Sequence, residues 1–179
     1  MAEQQQRLTI QQAIDLAVQH HNEGRLSQAE SIYQQILQSD PNQPVALHLL
    51  GVIAHQRGNH QIAVELISRS LSIAPNQEAA QCNLGLSLRD LGRLEEAVQC
   101  YQRALSIAPS YSAAYFNQGI ALHELGRLDE ATTSYQNAAE LAPDPADTHL
   151  NLGNTLRDLG LIEDAAKSYR NALAIQPNN

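Results

Sequence analysis

Between Leu84 and Leu105 the apolar side chains fall at Leu84, Leu88 and Leu91, and then at Leu94, Ala97, Val98, Tyr101, Ala104 and Leu105. Steps of three and four residues place each set on one side of an α-helix, so the segment predicts two amphipathic helices, each with one buried stripe and one polar face. Gly92 lies between them. The second set stops at Ala108-Pro109; the residue before proline is pushed out of the α region, and the helix must end there. The unit reads helix A, turn, helix B, turn.

This pattern recurs at a step of 34 residues. Gly24, Gly58, Gly92, Gly126 and Gly160 hold the step, as do Pro41, Pro75, Pro109, Pro143 and Pro177; between them run Ala29, Ala63, Ala97, Ala131 and Ala165, and Tyr33, Ile67, Tyr101, Tyr135 and Tyr169. A helix pair of this length cannot enclose a core alone and buries one only by stacking on its neighbours, which defines an all-α solenoid. With the glycine column as position 15, the units are 10–43, 44–77, 78–111, 112–145 and 146–179. They form one domain over 10–179, preceded by an N-terminal lead-in of 1–9. Position 15 follows the last turn of helix A, where a left-handed C-cap is least costly for glycine.

A second small column, position 8, reads Ala17, Gly51, Gly85, Gly119 and Gly153. Glycine inside a helix costs about 1 kcal/mol relative to alanine. Two helix backbones are therefore expected to come close there, with the small residue at position 20, the Ala29 column, as the facing group.

These columns, together with Leu16, Leu50, Leu84 and Leu152 at position 7 and Ala104, Ala138 and Ala172 at position 27, resemble the tetratricopeptide repeat over residues 10–179. Departures are local: Ala17 and Ile36 in the first unit, Ile67 and Ser70 in the second, and Gln118 in place of leucine in the fourth. The resemblance implies a right-handed superhelix of five helix-turn-helix units. Its concave groove would be lined by helix A positions 2, 5, 6, 9, 12 and 13 and would bind a protein or peptide partner.

Mapped onto those positions, the chain offers a row of amides, Asn83, Asn117 and Asn151, at position 6. Each amide carries both donor and acceptor, which suits the backbone of an extended peptide. The row resembles the asparagine ladder of O-linked N-acetylglucosamine transferase repeats; the alternative is that each amide bonds a neighbouring helix. Position 12 reads His21, His55, Arg89, His123 and Arg157, and position 13 reads Asn22, Gln56, Asp90, Glu124 and Asp158. These rows would read a charged partner, or else form intramolecular surface pairs worth under about 1 kcal/mol each. Phe116 at position 5, with Leu86 and Ile120 at position 9, is expected to form an apolar anchor in mid-groove. Tyr115, at position 4, is assigned to packing between helices.

Composition narrows the partner. Eleven basic against nineteen acidic side chains leave a formal charge of −8, which disfavours nucleic acid and an anionic membrane. No apolar run of about 18 residues is present, so no membrane insertion is expected, and the N-terminus carries no export signal; the chain is assigned to the cytoplasm. Cys82 and Cys100 are the only cysteines and are read as small buried helix residues rather than a disulfide or metal set. No metal, cofactor or catalytic constellation is expected: there is no phosphate loop, nucleophile elbow or zinc spacing. Position 5 holds no lysine, which argues against the clamp by which some relatives grip a terminal carboxylate.

The chain thus reads as a non-enzymatic scaffold whose groove takes an extended peptide. Two alternatives stay open. Asn22 to Leu26 and Ser68 to Leu71 resemble the opening of bacterial tetratricopeptide proteins, some of which continue into a glycosyltransferase domain, so this chain would be the recognition array of a larger enzyme. The other is self-assembly, with homo-association through an uncapped C-terminal unit: the stripe Ile162, Ala166, Tyr169, Leu173 and Ile175 repeats stations that carry Leu94, Val98, Tyr101, Leu105 and Ile107 inside the array.

Overall fold

The computed structural model describes residues 9–142 and 145–177. Pro143 of the proline column, Asn179 at the end of the fifth unit and residues 1–8 of the lead-in lie outside the described residues. The described chain is all-α, with ten helices and no strand among the described residues. They are α1 (Ile10–Asn22), α2 (Leu26–Ser39), α3 (Pro44–Gln56), α4 (His60–Ile73), α5 (Glu78–Asp90), α6 (Leu94–Ile107), α7 (Ser112–Glu124), α8 (Leu128–Leu141), α9 (Ala146–Asp158) and α10 (Ile162–Ile175). Odd-numbered helices are the A helices and even-numbered ones the B helices.

Local chemistry sets the helix ends. Thr9 and Gln12 form a reciprocal capping box at the start of α1, at 3.2 and 2.9 Å, which satisfies two N–H groups that the first turn leaves without partners. Each A helix ends on the expected glycine in the left-handed region, with φ of +74° at Gly24 and Gly92 and +80° at Gly160. The residue after that glycine turns its N–H back onto the helix, as Arg93 does to the Leu88 carbonyl at 2.9 Å, closing a Schellman-type stop.

Residues Met1–Pro75 and Asn76–Asn179 form two compact units. In the first, α1 packs on α2 and α3 on α4, with α2 against α3. In the second, the pairs α5–α6, α7–α8 and α9–α10 are joined by α6 on α7 and α8 on α9. There the A helices also touch one another, α5 to α7 and α7 to α9, and no comparable contact between successive B helices forms among the described residues. The A side of this unit is the tighter, inward-curving one.

The repeating columns make the core. Ala97, Tyr101, Ala104, Ala131, Tyr135 and Ala138 are all buried in the second unit, as are Ala29, Tyr33, Ala63 and Ile67 in the first. The glycines of position 8 are needed for a different neighbour from the expected one. A Cβ built on Gly85 would lie 2.5 Å from Cε1 of Tyr101, and one on Gly119 or Gly153 would lie 2.7 or 2.5 Å from Cε1 of Tyr135 or Tyr169. In the first unit Gly51 meets Ile67 Cγ1 at 2.6 Å, with the Ala63 carbonyl oxygen only next at 3.3 Å. The facing group is therefore the side chain at position 24, not the alanine at position 20: the glycine makes room for a ring.

The local departures carry their own compensation. Gln118, where other units have leucine, is buried and accepts a hydrogen bond from Ser134 Oγ at 3.1 Å. Ser70, in place of alanine, donates to the Pro44 carbonyl at 2.8 Å. Along α10, Ile162 and Leu173 are exposed where Leu94 and Leu105 at the equivalent stations of α6 are half-buried, and Ala166 and Tyr169 are exposed and half-buried where Val98 and Tyr101 are buried.

Gly85→Leu should destabilise the chain by roughly 3 kcal/mol or more through overpacking, while Arg89→Ala, which loses a surface pair, should cost under about 1 kcal/mol. Combining Gly85→Leu with Tyr101→Ala should cost less than the two single changes added together, because the second removes the ring that the first collides with. Chemical denaturation of the four variants decides this, and strict additivity would dissociate the glycine from the ring.

Candidate functional site

Position 8 faces the B helix. A residue two positions away on a helix of 3.6 residues per turn is rotated by about 200°, so position 6 points away from that contact. Asn83, Asn117 and Asn151 accordingly sit half-buried on the A side of the 76–179 unit, on α5, α7 and α9. Asn117 Nδ2 donates to the Ala113 carbonyl at 2.8 Å, and Asn151 Nδ2 to the Asp147 carbonyl at 2.9 Å. Each of these two amides is thus anchored to its own helix one turn back, which sets the direction of its Oδ1. Among the described residues neither Oδ1 accepts a hydrogen bond, and Asn151 retains a second N–H. Asn117 Nδ2 also lies 4.0 Å from Cys82 Sγ.

Beside this row a cavity of about 220 Å³ opens between the first turns of α7 and α9 and the last turns of α8. Phe116, Ala113, Ala138 and Ala142 provide its apolar walls, and Ser112, Asp147 and Thr148 its polar ones. Phe116 is half-buried, its ring edge-on to Tyr135 with centroids 6.1 Å apart. Leu86 and Ile120, expected beside it, are half-buried too but do not line the cavity. Sequence reasoning singled out Phe116 here and missed Asp147, whose counterparts Gln11, Val45, Ala79 and Ala113 share no chemistry with it.

The charged row is paired internally. His123 Nε2 donates to Asp158 Oδ2 at 3.0 Å, joining position 12 of one A helix to position 13 of the next, and Arg157 reaches the same carboxylate at 3.1 Å. These contacts, His123 foremost, hold the Asp158 carboxyl below its ordinary pKa. Arg89 pairs with Asp90 at 3.0 Å. In the Met1–Pro75 unit, His55 Nδ1 lies 3.2 Å from His60 Nδ1, with the rings edge to face. His48 is buried, and burial lowers its pKa.

Both thiols are buried helix residues. Burial raises the Cys82 pKa against the opposing hydrogen bonds of Tyr111 and Asn117, and pushes Cys100 up to about 11. Neither has the depressed pKa of a nucleophilic cysteine. No described helix is long and apolar enough to cross a membrane.

The sequence matches profiles of the tetratricopeptide repeat at residues 21–84, at 85–126 and 119–160, and at 146–179. No curated protein sequence matches the chain. Among solved structures, a MamA fragment from Desulfovibrio magneticus RS-1 superposes with a TM-score of 0.85 at 19% identity, over 95% of this chain and 96% of that one. MamA AMB-1 gives 0.78 at 26% identity, over 95% and 93%. YrrB, described as a TPR protein with an unusual peptide-binding site, gives 0.80 at 24% identity, over 96% and 88%.

The His123–Asp158 contact has a measurable consequence. A carboxyl whose pKa is lower folded than unfolded adds stability above the unfolded value, and that stability disappears as the pH falls through the folded one. Asp158 should titrate below the ordinary value of about 3.9, and His123→Gln should move it upward by more than Arg157→Gln does. NMR titration of the Asp158 carboxyl measures both shifts; an unmoved midpoint in His123→Gln would free that imidazole for groove recognition.

Proposed function

The chain belongs to the tetratricopeptide repeat family, and we propose that it is a non-catalytic scaffold that holds an extended peptide segment of another protein on its A-helix side, along Asn83, Asn117 and Asn151. The observation that carries this reading is the orientation of Asn117 and Asn151. An amide tied by one N–H to its own helix cannot rotate freely, so its Oδ1 is preorganised to accept from a peptide N–H, and at Asn151 the remaining N–H is left to donate to a peptide carbonyl. Repetition at one station suits a ligand whose own polar groups repeat. Leu86, Phe116 and Ile120 add apolar contact, and the internally paired His123, Arg89 and Arg157 act as a polar rim. Both thiols are free, which suits a reducing compartment, and we assign the scaffold to the cytoplasm.

A second reading, self-association, is favoured by one observation: Ile162, Leu173 and Ile175 on α10 are exposed at 61%, 49% and 37%. It makes its own claim: Ile162→Asp with Leu173→Asp lowers the mass measured by light scattering at high concentration, without lowering Tm.

The full chain should select binders from a library of displayed random twelve-residue peptides. Asn83→Ala, Asn117→Ala and Asn151→Ala combined should weaken the selected peptides at least about tenfold, since three hydrogen bonds worth about 0.5–1.5 kcal/mol each are lost, with helicity and Tm nearly unchanged. Selected peptides that bind the triple variant as well as the parent would place the site elsewhere.

A further inference from the structure

The cavity beside the asparagine row has a chemistry of its own. Its apolar walls are Phe116, Ala113, Ala138 and Ala142, and Asp147 stands at its rim. Asp147 is exposed, and among the described residues no cation pairs with it; the same holds for Glu124, Glu140 and Glu163, but among the acidic residues Asp147 alone lines the cavity. Asp147 also lies one turn before Asn151, whose amide bonds the Asp147 carbonyl. A peptide laid on the asparagine row therefore passes this carboxylate. The geometry points to a specificity pocket for a lysine or arginine side chain of the bound peptide, an inference that rests on the peptide-groove reading above.

Shape and charge agree. Roughly 220 Å³ corresponds to about seven groups of water size, against roughly five heavy atoms in a lysine side chain and seven in an arginine. Long basic side chains bury their methylene stems against apolar surface while the charged head stays at the wet edge, and an aromatic face such as that of Phe116 attracts a cation within about 6 Å. The wider field acts in the same sense. Residues 76–179 carry thirteen acidic and seven basic side chains, whereas 1–75 carry six and four, so most of the net negative charge belongs to the unit that holds the pocket. An acidic peptide would meet Asp147 with nothing to pair it; a basic one replaces the missing cation.

The experiment pans the same random peptide library against the parent chain, Asp147→Lys, and Glu163→Lys as a control with the same charge change on α10. The parent and Glu163→Lys should enrich lysine or arginine at one position of the selected peptides; Asp147→Lys should lose that enrichment and weaken a parent-selected basic peptide at least about tenfold, with Tm unchanged. Salt should weaken this peptide more on the parent than on Asp147→Lys. Selected peptides with no basic preference, with an apolar preference, or with one that survives Asp147→Lys would overturn the pocket while leaving the peptide groove standing. An equal loss in Glu163→Lys would also overturn it, in favour of the general field. Failure to select any peptide would overturn both readings.

Discussion

The close contact between a glycine of helix A and a ring of helix B is the constraint on which the other features depend. Leaving out a Cβ at Gly85 costs about 1 kcal/mol of helix propensity, but it admits the Tyr101 ring to full burial; enclosing a large apolar side chain contributes roughly 1.5–3 kcal/mol, and the buried Tyr101 hydroxyl, which has no hydrogen-bond partner among the described residues, offsets part of that gain. The contact fixes how helix A seats on helix B. It also orients helix A: once position 8 faces the partner helix, the 3.6-residue turn directs positions 2, 6, 9 and 13 to the opposite side. The face on which a ligand can be read is thus the remainder left by the packing.

Periodicity made this arrangement legible before any coordinates. The left-handed glycines, the helix pairs and the buried alanine and tyrosine columns all follow from residues whose neighbours recur every 34 positions. What periodicity did not resolve was which column touches which. Position 20 was the expected partner of position 8 because small residues suggest close backbones; the ring at position 24 takes that place instead. A missing side chain is as informative about a large neighbour as about a small one. The first unit makes the same contact with Ile67, so the rule concerns volume more than aromaticity.

Departures from the columns were visible as departures but not as pairs. Gln118 and Ser134 each look tolerable alone, and only their 3.1 Å contact explains how a leucine site accepts an amide, since a buried polar group is costly only when it lacks a partner. The charged row behaves in the same way. The spacing put His123 and Asp158 on one helix side in adjacent units, and the choice between partner recognition and internal pairing had to wait for the distance between them.

The candidate site divides along the same line. The asparagines were legible because they form a column, whereas the cavity draws Phe116, Ala138 and Asp147 from three helices and from three different positions. No residue in a repeat predicts Asp147, since its counterparts are glutamine, valine and alanine. A perfectly periodic surface can follow the backbone of an extended peptide, which is itself periodic, but it cannot distinguish one side chain of that peptide from the next. Selectivity must break the 34-residue symmetry. On the proposed reading the recurring positions of this chain build the frame and would hold a main chain, and the singular ones, Phe116 and Asp147 foremost, would tell one sequence from another.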